Sequence, residues 1–270
     1  MPRLRNDKGR DITLRPVHAN AGIAAAYRRK LEALIDDMAR SYAFFIKAQY
    51  RASPPRMARD VSPAKELQRE LKELARRWQR QFREAAPKLA EWFARSVDNR
   101  STAALRKILR DGGFSVRFRI TPEVRDILDA TIAENVSLIR SIPSEFATQV
   151  EGMVMRSVTA GRDLASLTRD LQKRFRITRD RAEFIALDQN NKATTSIRRA
   201  RETNLGITEG IWLHSHAGKQ PRKTHLANHG KRFSIAEGWF DPDPKVRQRI
   251  MPGTLPRCRC NWRPVIKGFS

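Results

Sequence analysis

Two cysteines stand one residue apart near the end of the chain, in Arg257-Cys258-Arg259-Cys260-Asn261, and the sequence holds no others. His214, His216, His225 and His229 lie upstream of them, leaving only His18 elsewhere. Thiolates and imidazoles brought together form a ligand set for tetrahedral zinc. A small module with few apolar residues gains stability from such a staple. The candidate metal set is His225 with Cys258 and Cys260, and the candidate cofactor is a structural zinc. The spacing is not the two-residue knuckle, however. If this segment is extended, only one thiol is expected to face the same site as the histidines. A buried free thiol beside hydrogen-bonded histidines is the other reading, and both stay open at this point.

A second chemistry is a metal-dependent nuclease. The stretch Thr224–Phe233 contains His225, Asn228 and His229 in a His-x-x-Asn-His pattern. HNH-type nucleases use a general-base histidine near a metal that faces phosphate. The acids within reach in sequence, Glu237, Asp241 and Asp243, sit in "AEGWFDPDP", which reads as turn chemistry. No glycine-rich phosphate loop and no Ser/His/Asp arrangement occurs. No catalytic residue is assigned, and the nuclease is kept as the alternative to a non-enzymatic role.

The charge narrows the partners. The 270 residues carry 54 Lys and Arg against 29 Asp and Glu, a net +25. The basic excess is seven over residues 1–60, seven over 61–110, three over 111–200 and eight over 201–270. It is therefore concentrated toward both ends. Such a field favours a polyanion, with double-stranded DNA bound without sequence preference as the leading partner. Arg outnumbers Lys, which suits forked phosphate contacts. Candidate DNA contacts are Arg198, Arg199, Arg201, Arg222, Lys223, Lys231 and Arg232. The N-terminal stretch lacks the apolar segment of a signal peptide, and no run of eighteen apolar residues occurs. The expectation is a chain made in a reducing cytoplasm, with no membrane partner and no disulfide framework.

The elements that must position these groups are mainly helical. Residues 1–20 read as a basic arm, flexible or docking. A helix is expected over 21–52, then a break at Arg51–Pro63, with Ser62-Pro63 opening a second helix and a third running over 87–110; together 21–110 form a basic helical region. "FSVRFRI" over 114–120 alternates with period two and predicts a strand. Thr121-Pro122 then caps further helices over 123–141, 144–159, 163–175 and 178–204, making 111–205 a second helical region. From 206 to 270 Gly, Pro, Trp and His become frequent and helical periodicity is lost; "GIWLHS", "NHGKRFSI" and "NWRPVI" read as strands and turns. The fold class expected is a mainly α body followed by a short antiparallel β-rich module.

Several short elements of this module occur in an order that resembles the phage Mu protein F-like family of minor head proteins, which act in phage head morphogenesis. They are Trp212, then Pro221, Arg222 and His225, then Gly230 and Phe233, and finally Pro252 and Gly253 before Cys258, Arg259 and Cys260. Upstream, Asp188, Gln189 and Lys192 resemble a core of the family's preceding helix. The resemblance covers roughly Pro122 to Phe269 and is strongest from Arg181 onward. Where this chain has Arg257 before the Cys-Arg-Cys, the family usually has Asn. The resemblance implies a virion protein inside the capsid near the portal, with partners among portal, capsid and scaffold proteins and packaged DNA.

Overall fold

Apolar residues spaced three and four apart give the longest elements. The computed structural model describes residues 9–52, 63–161, 163–216 and 220–268. Its first helix, α1 (Ala21–Ala52), follows β1 (Ile12–Thr13) and buries Tyr27, Leu31, Ile35, Met38, Tyr42 and Ile46 along one stripe. Next come α2 (Pro63–Asp111), α3 (Pro122–Thr159) and α4 (Leu164–Asn204). The C-terminal module then supplies β2 (Glu209–Leu213), the short helix α5 (Lys223–Ala227), β3 (Arg232–Ser234), β4 (Trp239–Asp241), β5 (Gln248–Ile250) and β6 (Asn261–Ile266). The expected mainly α architecture with a small antiparallel β module is what the chain adopts. No helix among the described residues is long and apolar enough to cross a membrane.

The helices run further than their prolines and polar breaks predict. The second and third helices expected from sequence are one helix, α2, with Pro87 inside it. Buried Phe82, Ala86, Ala90 and Phe93 carry one stripe past that proline. Packing of the stripe offsets the roughly 3 kcal/mol that an interior proline costs a helix. The same holds in α3, where Ile139, Ile142, Phe146 and Val150 are buried on both sides of Pro143. In α4 the expected stop near Arg176 is absent, and Thr178 turns inward and donates from Oγ1 to the Arg174 carbonyl at 3.0 Å. Helix starts were better encoded. Thr121 Oγ1 accepts from the Val124 N–H at 3.4 Å, and Asp163 Oδ1 accepts from the Ala165 and Ser166 N–H groups at 2.9 and 3.2 Å. Ser62 and the break over 53–62 lie outside the described residues.

Two compact units form, and they do not follow chain order. One contains Ala25–Glu91 and Ala133–Ala186; the other contains Met1–Ala24, Trp92–Ile132 and Leu187–Ser270. Among the described residues, every regular element of the first is a helix. Within it Tyr42 meets Phe146 edge-on with ring centroids 5.2 Å apart, and the Tyr27 hydroxyl donates to Asn135 Oδ1 at 2.9 Å.

The other unit holds the β module. Its four-stranded sheet runs β1-β6-β2-β3, all antiparallel, with β4 and β5 as a separate pair. Trp212 stands opposite Trp262, and Gly210 opposite Phe233 and Pro264. Residues expected as an arm are built into this unit: Ile12 and Thr13 pair with Ile266 and Val265, and Leu14 and Val17 are buried. The predicted strand at 114–120 does not form. Phe114, Val116 and Phe118 are half-buried against the core while Ser115, Arg117 and Arg119 are exposed, so the period-two pattern reflects side-chain burial without a ladder partner among the described residues.

Candidate functional site

The two thiols and one histidine converge inside the β module. His225 lies in α5, whose single turn projects it inward to 1% exposure. Trp212 packs edge-on against its ring, with centroids 5.2 Å apart. Asp241, at the end of β4 and fully buried, approaches His225 Nε2 through Oδ2 at 3.1 Å. For Nε2 to donate to that carboxylate it must carry the ring proton, which leaves the Nδ1 lone pair directed elsewhere. Nδ1 faces Cys258 Sγ at 3.5 Å and Cys260 Sγ at 3.6 Å. These three residues form a group whose ligand atoms all lie within 4.8 Å of one another.

This arrangement corrects the expectation that only one thiol could face a histidine. Residues two apart in an extended chain would already share a face, and residues 258–260 are not part of a strand. They leave a turn in which Arg257 adopts φ 60° and the Cys258 N–H donates to the Leu255 carbonyl at 2.9 Å. Left-handed backbone suits Asn far better than Arg. Here the turn is held from outside: the Arg257 N–H donates to Asp188 Oδ1 at 3.0 Å, while Asp188 Oδ2 pairs with Lys192 at 3.1 Å. Thr195 Oγ1 donates to the Pro252 carbonyl at 2.9 Å, and Gly253 occupies φ 88°. The neighbouring Cys260 holds the Cys258 thiol down to about 4 despite its burial. Cys260 is pushed up by the Cys258 sulfur beside it and by its own burial.

The remaining motif residues support this centre. Gly230 takes φ 78° and donates its N–H to the Trp212 carbonyl at 2.8 Å; Phe233 packs on Trp212 with centroids 5.7 Å apart. Arg222, following exposed Pro221, donates to the Pro256 carbonyl at 3.0 Å. Gln189 is buried and Arg259 exposed. The other three histidines of the module, His214, His216 and His229, form a neighbouring group. The His214 N–H donates to His229 Nδ1 at 3.0 Å, the His216 N–H donates to His214 Nδ1 at 3.1 Å, and burial lowers the pKa of His214. His225 and His229 are therefore not gathered into one metal site as the nuclease reading requires.

Of the candidate DNA contacts, two are placed inside. Arg198 is 1% exposed: Nε meets Glu202 Oε1 at 2.6 Å, Nη1 meets Asn261 Oδ1 at 2.7 Å, Nη2 meets the Trp262 carbonyl at 2.9 Å, and the guanidinium lies 3.8 Å from the Trp262 ring centroid. Trp262 Nε1 closes the network on Glu202 Oε2 at 2.7 Å. Arg201 is also buried, with Nη2 on Asp98 Oδ1 at 2.7 Å. Both are corrections to the sequence reading, since helix phase turns them toward the core. Arg199 donates to the Ile235 carbonyl at 2.9 Å and to that of Ala236. Arg232 is exposed but pairs with Asp11 and Glu209 at 2.8 and 3.3 Å. Lys223 and Lys231 are exposed. Sequence reasoning missed Asp241 as a partner of His225 and missed the Arg198–Glu202–Trp262 network altogether.

Residues 148–263 match a family described as phage Mu protein F like protein, which supports the resemblance read from the motifs. The chain is 26% identical over 274 residues to a Haemophilus influenzae protein described as uncharacterized. That match covers 97% of this chain and 58% of the relative, so the chain spans less than two thirds of the relative's length. No solved structure matches.

Proposed function

We propose, on the premise that residues 148–263 are a phage Mu protein F like segment, that this chain is a minor head protein acting in phage head morphogenesis. It works inside the capsid near the portal, and it binds packaged double-stranded DNA through phosphate contacts. The family match carries the reading; the net charge of +25 supports its DNA arm.

The basic surface that fits DNA best is on α2 in the all-helical unit. Arg69, Lys72, Arg76, Arg80 and Arg83 are all exposed and recur at spacings of three and four, so they line one face. This stripe replaces Arg198 and Arg201 as candidate phosphate contacts, beside Lys223 and Lys231 of the β module. The segments 21–110, 111–205 and 206–270 serve in this reading as basic helical region, family helices and family β module, while the stretch first read as an arm serves through β1 as part of the β module's sheet.

A nuclease is not favoured. His225 has one ring nitrogen on Asp241 and the other on the thiols, and it is buried from any phosphate. The test is titration of the full chain with duplexes of unrelated sequence at several salt concentrations. Expected is binding with little sequence preference, whose log affinity falls with log salt by about 0.9 per phosphate contacted. An Arg76→Ser/Arg80→Ser/Arg83→Ser variant should lower that slope by about 2–3. Salt-insensitive binding, no binding at low salt, or cutting of the duplex with added magnesium or zinc would overturn the reading.

A further inference from the structure

The geometry points to a zinc ion bound by His225 Nδ1, Cys258 Sγ and Cys260 Sγ, acting as a staple that ties the closing turn of the chain to α5 and β4. Three observations carry it, and none depends on what the chain assembles with. The first is distance. Zinc bonds of about 2.3 Å to sulfur and about 2.05 Å to nitrogen, opened to a tetrahedral angle, put sulfur and nitrogen about 3.6 Å apart. The Sγ to Nδ1 separations are 3.5 and 3.6 Å. The second is orientation. A ligating imidazole ordinarily gives its other N–H to a carboxylate, which fixes the tautomer and strengthens the ligand. Asp241 Oδ2 sits 3.1 Å from Nε2, fully buried, and its Oδ1 is held by the Asp243 N–H at 3.0 Å.

The third is how the residues are brought together. The ligands come from positions 225, 258 and 260, and the carboxylate from 241, so one ion joins segments far apart in sequence. The donors are soft sulfur and borderline nitrogen, a set that selects zinc over magnesium or calcium. The fourth tetrahedral position falls to water, because the neighbouring His214 accepts from the His216 N–H at Nδ1 and so carries its ring proton on Nε2. A packed thiol pair without metal would need neither the carboxylate behind the imidazole nor both sulfurs on its one free nitrogen.

The full-length chain, purified without a metal-affinity step from cells supplied with zinc, should contain about one zinc per molecule. A Cys258→Ser/Cys260→Ser variant should contain none. Asp241→Asn, which keeps all three ligands, should bind zinc about 10–100-fold more weakly in competition with a chromophoric chelator. Replacing zinc by cobalt(II) in the wild-type chain should give sulfur-to-cobalt charge-transfer absorption with the strong visible bands of a tetrahedral site. Chelation should lower the melting temperature of the wild type, and added zinc should restore it. If the serine variant fails to fold, the wild-type stoichiometry, the cobalt spectrum and Asp241→Asn still decide. A wild-type chain without zinc that gives no cobalt–sulfur absorption overturns the site, as does equal zinc in the wild type and a folded serine variant.

Discussion

Arg198 and Glu202 show how far a single residue's role can depart from its type. Two fully buried charges survive only when every lone pair and proton has a partner. Here the guanidinium has Glu202, Asn261 and the Trp262 carbonyl, and the carboxylate also receives the Trp262 N–H. Burial pulls the Arg198 pKa down and pushes that of Glu202 up, while each favours the other's charged form. Removing one partner strands the other. Arg198→Met and Glu202→Leu should each destabilise the chain by about 3–5 kcal/mol in urea unfolding, and the double variant by less than the sum of the two. Additive losses would contradict the network. In sequence these residues sit in "SIRRARE" and read as a basic run, because residue type gives charge but not helix phase in a helix buried on most sides. Asp241 was misread for a related reason. One of its oxygens does perform the turn chemistry that "DPD" suggests, accepting from the Asp243 N–H, while the other turns to His225, sixteen residues away.

At the level of elements, starts were more legible than stops. Caps are local: Thr121 and Asp163 announce α3 and α4 through side chains that reach only two or three residues. Stops at Pro87 and Pro143 were overridden by stripes whose partners lie far away in sequence. The strand expected at 114–120 failed for the complementary reason, since alternation records which side chains are buried and not whether a neighbour offers its hydrogen bonds. In the sheet, Gly210 is required by close approach. A Cβ there would lie 2.8 Å from Trp262 Cδ1 and 3.1 Å from Phe233 Cε1. Gly210→Ala should cost about 1–3 kcal/mol in urea unfolding; an unchanged midpoint would mean the Trp262 ring yields freely. In the all-helical unit, burial alone would raise the pKa of Glu32, but Arg28 on α1 and Arg179 on α4 outweigh it and hold it below the ordinary 4.5. A depressed carboxylate stabilises above its unfolded pKa and loses that contribution as pH falls through the folded one. The melting-temperature gap between the wild type and Glu32→Gln should therefore be open at neutral pH and close as pH drops below 4.5. A gap that persists in acid would exclude this ion pair as its cause.

For the whole molecule, the sequence made the quantity of charge plain and its placement obscure. Some arginines counted toward DNA are spent on the core, whereas the outer face of α2 carries a continuous basic stripe. The metal-ligand candidates were legible as residue types, yet their convergence depends on the turn before Cys258, which Asp188 fixes from a distant helix. The central claim is that this chain is a component of an assembled phage head, and the most direct test is its presence in particles. Lysates of cells producing the phage should be fractionated into procapsids, filled heads and free protein, and this chain quantified in each by mass spectrometry. The account predicts that it co-purifies with both procapsids and filled heads at low, fixed copy number relative to the major capsid protein. Its recovery only in the free-protein fraction, absent from both kinds of particle, would contradict the account.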